Sequence, residues 1–220
     1  MNTHSVGNPA LSDDRVMETM ELPYKIILAS NSPRRRELLS GLGLNYTIRT
    51  IGGIDESWPD DLKGEDIPLY ISKEKAAPYK ATIAADELVI TADTIVYVDG
   101  EVLGKPKDKA DAVRMLRLIS GRWHDVITGV TLMTVGRERS FAVTTKVKFC
   151  NLTDDEINSY VESGLPMDKA GAYGIQEWIG YVGVEAIEGS YFNVVGLPVQ
   201  RLYRELLDFC KDDNKQTINV

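Results

Sequence analysis

Two places in this chain hold charged residues where ordinary folding would not put them, and both suit phosphate chemistry. Arg34, Arg35 and Arg36 follow directly on Ser32-Pro33. Serine at the cap and proline at the first helical position start a helix. The three arginines therefore fall in its first turn, where the partial positive charge of a helix N-terminus disfavours them. An anion removes the conflict. Backbone N–H groups at a strand-to-helix turn, with arginines beside them and the hydroxyls of Ser30 and Ser32 close by, form a phosphate site. A solvated basic turn is the plainer alternative. The chain has no GxxxxGK[ST] loop, so a P-loop is excluded.

The second place is Asp93, inside the apolar run LVITADTIVYV. A carboxylate there is costly unless paired, hydrogen-bonded or metal-bound. It is either a structurally bonded strand acid or a general base or metal ligand; the strand alone does not decide. Lys105, in LGKPKD after the Asp99-Gly100 turn, is brought back toward Asp93 if that turn closes a hairpin. Lys75 lies mid-helix and Glu56 in a loop, where most such residues are simply solvated. Glu56 with Asp93 has the makings of a Mg²⁺ site, since that ion takes one or two carboxylates plus substrate phosphates. The glycine-punctuated DKAGAYGIQ segment, Asp168–Gln176, allows close approach of a ligand. Gln176 at its end offers a donor and an acceptor, suited to the edge of a nucleobase. Neither histidine helps: His4 is in an N-terminal polar stretch and His124 reads as structural, so no Ser-His-Asp or HxxxH arrangement exists.

These residues need elements to hold them. Strands are expected at Tyr24–Ser30, Tyr46–Ile51, Leu88–Val98, Asp125–Val135 and Phe141–Cys150, with short ones at Tyr181–Ile187 and Tyr191–Val195 around Glu188-Gly189. Helices are expected from Ser32-Pro33 through Leu38, Leu39 and Leu42, over Asp66–Lys80 with a late break at Pro78, over Asp108–Ile119 and over Thr153–Val161. The last opens on a Thr153/Glu156 capping box. Leu197–Cys210 reads as a closing amphipathic helix. Helices and strands interleave, yet hairpins occur, so the expected class is α/β with a mixed, twisted sheet and flanking helices.

At 220 residues the chain supports one good core. The reading is a polar, disordered tail over 1–22, one domain over 23–210 and a polar C-terminal tail over 211–220. A net charge of −8 excludes nonspecific binding to a nucleic-acid backbone. No stretch approaches the roughly 20 apolar residues of a membrane span, and the acidic N-terminal segment resembles neither a signal nor a transit peptide. Cys150 and Cys210, with no CxxC pair, fit a reducing, cytoplasmic setting.

Taken in order, LASNSPRRRELL (Leu28–Leu39), ADTIV (Ala92–Val96), LGKPKD (Leu103–Asp108), DKAGAYGIQ (Asp168–Gln176) and VVGLPV (Val194–Val199) resemble the Maf family of nucleotide pyrophosphatases, over about residues 24–208. The resemblance implies an elongated, two-lobed α/β fold with a central cleft, related to the inosine triphosphate pyrophosphatases. It also implies a divalent cation, Mg²⁺ or Mn²⁺, and a reaction that cleaves a nucleoside triphosphate to monophosphate and pyrophosphate. Homodimers are common in that family. By motif, its site residues fall on Ser30, Arg34, Arg35, Glu56, Lys75, Asp93, Lys105 and Gln176. Asp93 is the implied proton acceptor, Glu56 and Asp93 the metal carboxylates, and Arg34, Thr94 and Gln176 the specificity positions. The YGIQ form resembles the dTTP/UTP branch, as opposed to the branch that prefers 7-methyl-GTP. A nucleotide-binding regulator without turnover and a hydrolase that releases single phosphates are the competing readings.

Overall fold

The computed structural model describes residues 22–217, with side chains to 211, so residues 1–21 of the stretch read as a disordered tail lie outside the described residues, while Leu22 at its end packs against the core. Seven strands form one mixed sheet in the order β2-β1-β3-β5-β6-β7, with β4 paired to β3. They are β1 (Lys25–Leu28), β2 (Tyr46–Ile48), β3 (Glu87–Val98), β4 (Glu101–Leu103), β5 (Trp123–Met133), β6 (Glu138–Phe149) and β7 (Val184–Glu188). β1 runs parallel to both β2 and β3, and every other pairing is antiparallel. The α/β class and the mixed sheet are as expected. The β3–β4 hairpin turns through Asp99 and Gly100, both at positive φ, as a tight two-residue turn requires.

The long strands are shared by two apolar clusters. On one face of β3, Leu88, Ile90 and Ala92 pack with Leu28, Val130, Leu132 and Phe141, under helix α1 (Pro33–Ser40) and helix α7 (Val199–Thr217). Farther along the same face, Val96 and Val98 pack with Val126, Val147 and Phe149, under α3 (Lys109–Ile119) and α4 (Asp154–Glu162). Between the clusters lies a polar waist. Thr94 and Thr128 sit opposite each other in the β3–β5 register, and their hydroxyls are 2.9 Å apart. A single strand thus serves two cores, and its polar interruption marks where they part.

The opposite face carries α2 (Asp66–Ala76), followed by a short 3₁₀ turn over 77–81 that contains Pro78. Its seat is fixed by backbone contact. A Cβ on Gly129 would lie 2.3 Å from the carbonyl of Pro68, so only glycine lets α2 settle this close. Hydroxyls pin it: Thr91 Oγ1 donates to Ser72 O at 2.6 Å, and the Ser72 and Thr131 hydroxyls are 2.9 Å apart.

Three expectations are corrected near the C-terminus. Tyr181 belongs to a short helix, α5 (Trp178–Gly183), and the strand starts only at Val184. Tyr191–Val195 is not a strand but helix α6. Ser190 caps it by accepting from Asn193 N, and the buried Asn193 amide directs Nδ2 at Val126 O and Val143 O, each at 3.0 Å. An apolar run of this length is compatible with strand or helix, and the cap and the buried asparagine decide for helix. The closing helix also runs on past Cys210 to Thr217, because the polar residues there include no proline or glycine.

Candidate active site

The site opens where β3 has no strand on one edge. The β1 ladder ends at Leu28↔Ile90, and the β4 ladder begins at Val96↔Leu103. Between them β3 is uncovered on that side. A cleft of about 680 Å³ enters there. Consecutive residues of a strand point to opposite faces, yet Asp93 and Thr94 both line this cleft, because it wraps around a free strand edge.

Ser30, Arg34, Arg35, Glu56, Lys75, Asp93, Thr94, Lys105 and Gln176 all border this one cleft. They come from the end of β1, the first turn of α1, the loop after β2, the helix α2, the middle of β3, the loop after β4 and the segment before α5. Ser32 caps α1 by accepting from Arg35 N, and Ser30 Oγ accepts from Ser32 N at 3.2 Å. The basic first turn expected from the sequence is therefore present and faces the cavity.

Asp93 is buried, and its partner is Lys75: Nζ lies 2.7 Å from Asp93 Oδ1 and 3.0 Å from Glu56 Oε1. One ammonium thus holds both carboxylates. It has three donors, so one is left for a ligand oxygen. Lys75 reaches Asp93 because Gly129, opposite Asp93 in the β3–β5 register, lets α2 approach at Pro68. Pro68 and Lys75 are two turns apart on the same helix face. Lys105 lies just beyond the β3–β4 ladder, exposed at the cleft, with no hydrogen bond or ion pair to any described residue. The hairpin does bring it to the cleft that Asp93 lines.

The two arginines have different situations. Arg34 lies at the cleft with Nη1 3.1 Å from Asp168 Oδ2. Arg35 is turned into the gap of the sheet: Nε donates to Gly196 O at 2.9 Å, Nη1 to Ala92 O at 2.9 Å and Nη2 to Thr94 Oγ1 at 3.1 Å. It fills the hydrogen-bonding edge that β3 lacks, and so ties α1, β3 and the Gly196 turn together. Burial lowers its pKa, the nearby Asp93 charge opposes that, and Arg34 adds to it.

Sequence reasoning passed over a second set of charges along the wall of the same cleft. Lys169 is buried, and its ammonium touches Leu165 O at 2.6 Å, Asp168 Oδ1 at 2.6 Å and Glu177 Oε1 at 2.8 Å. Tyr160 donates its hydroxyl to Glu177 Oε2 and accepts from Gly174 N at 3.1 Å. A signal was available: Lys169 stands beside a run of glycines, alanines and a tyrosine, as Asp93 stands in an apolar strand. His124 is buried with Nε2 2.8 Å from the Tyr173 hydroxyl, which supports its structural reading. Cys150 and Cys210 are both thiols.

The cleft, its cations and its buried acid are assembled from the motifs that suggested a family, and comparison with known proteins tests that directly. The family model described as "Maf: Maf-like protein" matches residues 25–209. The chain belongs to the Maf-like family. Among its Maf-like relatives, a Phocaeicola vulgatus protein named dTTP/UTP pyrophosphatase is 62% identical over 191 residues, covering 87% of this chain and 98% of the relative. A Bacteroides fragilis protein of the same name is 60% identical over 183 residues, covering 83% of this chain and 95% of the relative. A solved structure titled as a HAM1 protein from Coxiella burnetii aligns at a TM-score of 0.45 and 15% identity, over 84% of this chain and 99% of that one.

Proposed function

We propose that this Maf-like chain is a nucleoside triphosphate pyrophosphatase acting on dTTP and UTP, and by extension on modified pyrimidine nucleotides, in a house-cleaning role. The observation that carries the reading is the Lys75-bridged pair of Asp93 and Glu56 in a cleft that also presents Arg34, Lys105 and the α1 N-terminus. A cation-rich cavity with one sequestered carboxylate suits a polyphosphate and a water. The names of the relatives support the same substrates.

In the proposed mechanism, the phosphates lie against Arg34, Lys75, Lys105 and the N–H groups of the α1 first turn. Asp93 takes a proton from water as its oxygen bonds to the α-phosphorus. The bond from that phosphorus to the bridging oxygen breaks, and pyrophosphate leaves. The cations neutralise charge that grows on the leaving group, where fixed charges in a partly dry site act most strongly. The remaining Lys75 donor faces the phosphates while the other two keep both carboxylates in place. Gln176 and Thr94 border the part of the cleft assigned to the base. Arg35 contributes mainly by holding Thr94 and the α1 turn, because its Nε and one donor on each terminal nitrogen are already used.

Two carboxylates within reach of one ammonium fit a Mg²⁺ or Mn²⁺ ion that enters with the substrate. Among the described residues no group of three or more histidine, cysteine or acidic side chains forms a resident metal site. Glu56 and Asp93 would hold the ion, which would supply Lewis-acid polarisation of phosphate oxygens. No helix among the described residues is long and apolar enough to cross a membrane. A cytoplasmic enzyme, working as monomer or homodimer without nucleic acid, fits the acidic charge and the thiols.

The test is a panel of nucleoside triphosphates incubated with and without Mg²⁺ or Mn²⁺, with products identified. Monophosphate plus pyrophosphate from dTTP and UTP is expected, and Asp93→Asn should abolish it. Orthophosphate as the primary product, full turnover by Asp93→Asn, or preference for 7-methyl-GTP would each overturn the corresponding part of the reading.

A further inference from the structure

Gln176 is exposed at the end of a segment without regular structure, so something must set where its amide points. A loop amide free to swing would bond uracil and cytosine edges with little preference, because the amide offers both a donor and an acceptor. The structure shows what restrains the backbone that carries it. Ile175 is buried beside Gln176, and a Cβ on Gly180 would lie 2.1 Å from Ile175 O, so α5 backs directly onto the segment. Glu177, the next residue, is held by Lys169 on one carboxylate oxygen and by the Tyr160 hydroxyl on the other. The same Tyr160 hydroxyl accepts from Gly174 N. One phenol on α4 therefore grips the chain on both sides of Ile175-Gln176. The glycine leaves room for this: a Cβ on Gly174 would lie 2.9 Å from Lys169 Cε and 2.8 Å from Glu177 Cδ, and those two side chains would have to shift. Through Lys169 and Asp168 the network continues to Arg34, at the phosphate side of the cleft.

We propose that Tyr160, acting through Glu177 and Gly174, is a positioning residue for base discrimination: it holds Gln176 in the one orientation that favours a uracil-type edge over a cytosine edge. Tyr160 does not line the cleft, so it touches no substrate. Its ring packs in the apolar cluster under α3 and α4, so Tyr160→Phe keeps the packing and removes only the hydroxyl. The inference rests on the reading of the cleft as a uracil- or thymine-nucleotide site.

The experiment compares kcat and KM for UTP and CTP in the wild-type chain, Tyr160→Phe, Gln176→Ala and the double variant, each checked by thermal unfolding. In Tyr160→Phe, the UTP KM is expected to rise and the UTP-to-CTP ratio of kcat/KM to fall by roughly tenfold, the scale of one hydrogen bond to a charged group. UTP kcat should stay within about twofold, because the groups at the phosphates are untouched. In the Gln176→Ala background the same change should leave the ratio within about twofold, as two residues acting through one contact are not additive. Glu177→Gln provides an independent second variant and should lower the ratio in the same direction. An unchanged ratio in Tyr160→Phe, an equal fall in the Gln176→Ala background, or a loss of kcat with KM constant overturns the assignment. If Gln176→Ala alone leaves the ratio unchanged, the base-reading role of Gln176 fails first and takes the Tyr160 role with it. Absence of pyrophosphate release from UTP by the wild-type chain instead refutes the function proposed above.

Discussion

Replacing Lys75 by methionine isolates the central electrostatic feature of the cleft. The ammonium bridges Asp93 and Glu56, but the two pairs are unequal. The Asp93 and Lys75 side chains are only 12% and 15% exposed, whereas Glu56 is 57% exposed. Solvent screens Glu56, so the cost falls on Asp93. Stranding one member of a buried ion pair costs about 3–5 kcal/mol. The residual exposure here places Lys75→Met below that range, at about 2–3 kcal/mol. In a domain of this size that is a fall in Tm of roughly 5–10 °C. Thermal unfolding followed by circular dichroism reads it, and pyrophosphate release reads the accompanying loss of turnover. The deciding measurement is the double variant Lys75→Met/Asp93→Asn. Removing both charges eliminates the stranded carboxylate, so most of the stability should return while activity stays lost. A double variant as unstable as Lys75→Met would refute the reasoning, since the cost would then be lost packing by the lysine stem on α2.

Three further outcomes follow from the same geometry. Gly129→Ala should destabilise by about 1–3 kcal/mol through overpacking and cut turnover at least tenfold by lifting Lys75 from Asp93; melting and turnover measured together check both. Arg35→Lys should cost about 2 kcal/mol despite keeping the charge, because an ammonium cannot span Gly196 O, Ala92 O and Thr94 Oγ1 together; urea unfolding measures it. Burial pushes His124 down to about 4, against roughly 6.5 in an unfolded chain. As pH falls below 6.5 the unfolded state gains a proton that the folded state does not. Stability should therefore drop by about 2 kcal/mol between pH 7 and pH 5, and His124→Gln should flatten that part of the urea-unfolding profile.

Much of the fold is local and was legible in the residues. The β3–β4 turn is written in Asp99-Gly100, the α1 start in Ser32-Pro33, and the α4 start in Thr153 and Glu156, whose capping box is present in full. Such signals act over a few residues, so no tertiary contact is needed to read them. Tyr191–Val195 reads as a strand from an apolar run that fits either period, and the tie is broken toward helix by Asn193 bonding to strands far away in sequence.

The residue types of the site were also visible by themselves, since a carboxylate in an apolar strand and arginines at a helix start are each costly without a partner. Sequence alone thus determined that Asp93 and the Arg34–Arg35 turn needed explaining, and the motifs named the family that explains them. Only the tertiary structure decided who the partners are. Lys75 meets Asp93 because Gly129 admits a helix against the sheet, and Arg35, at the wall of the cleft, spends its guanidinium on closing an unpaired strand edge. Tyr160 grips the Gln176 segment from another helix. Each of these is a contact between segments whose separation along the chain carries no signal, and it exists only because packing brings them within hydrogen-bonding distance.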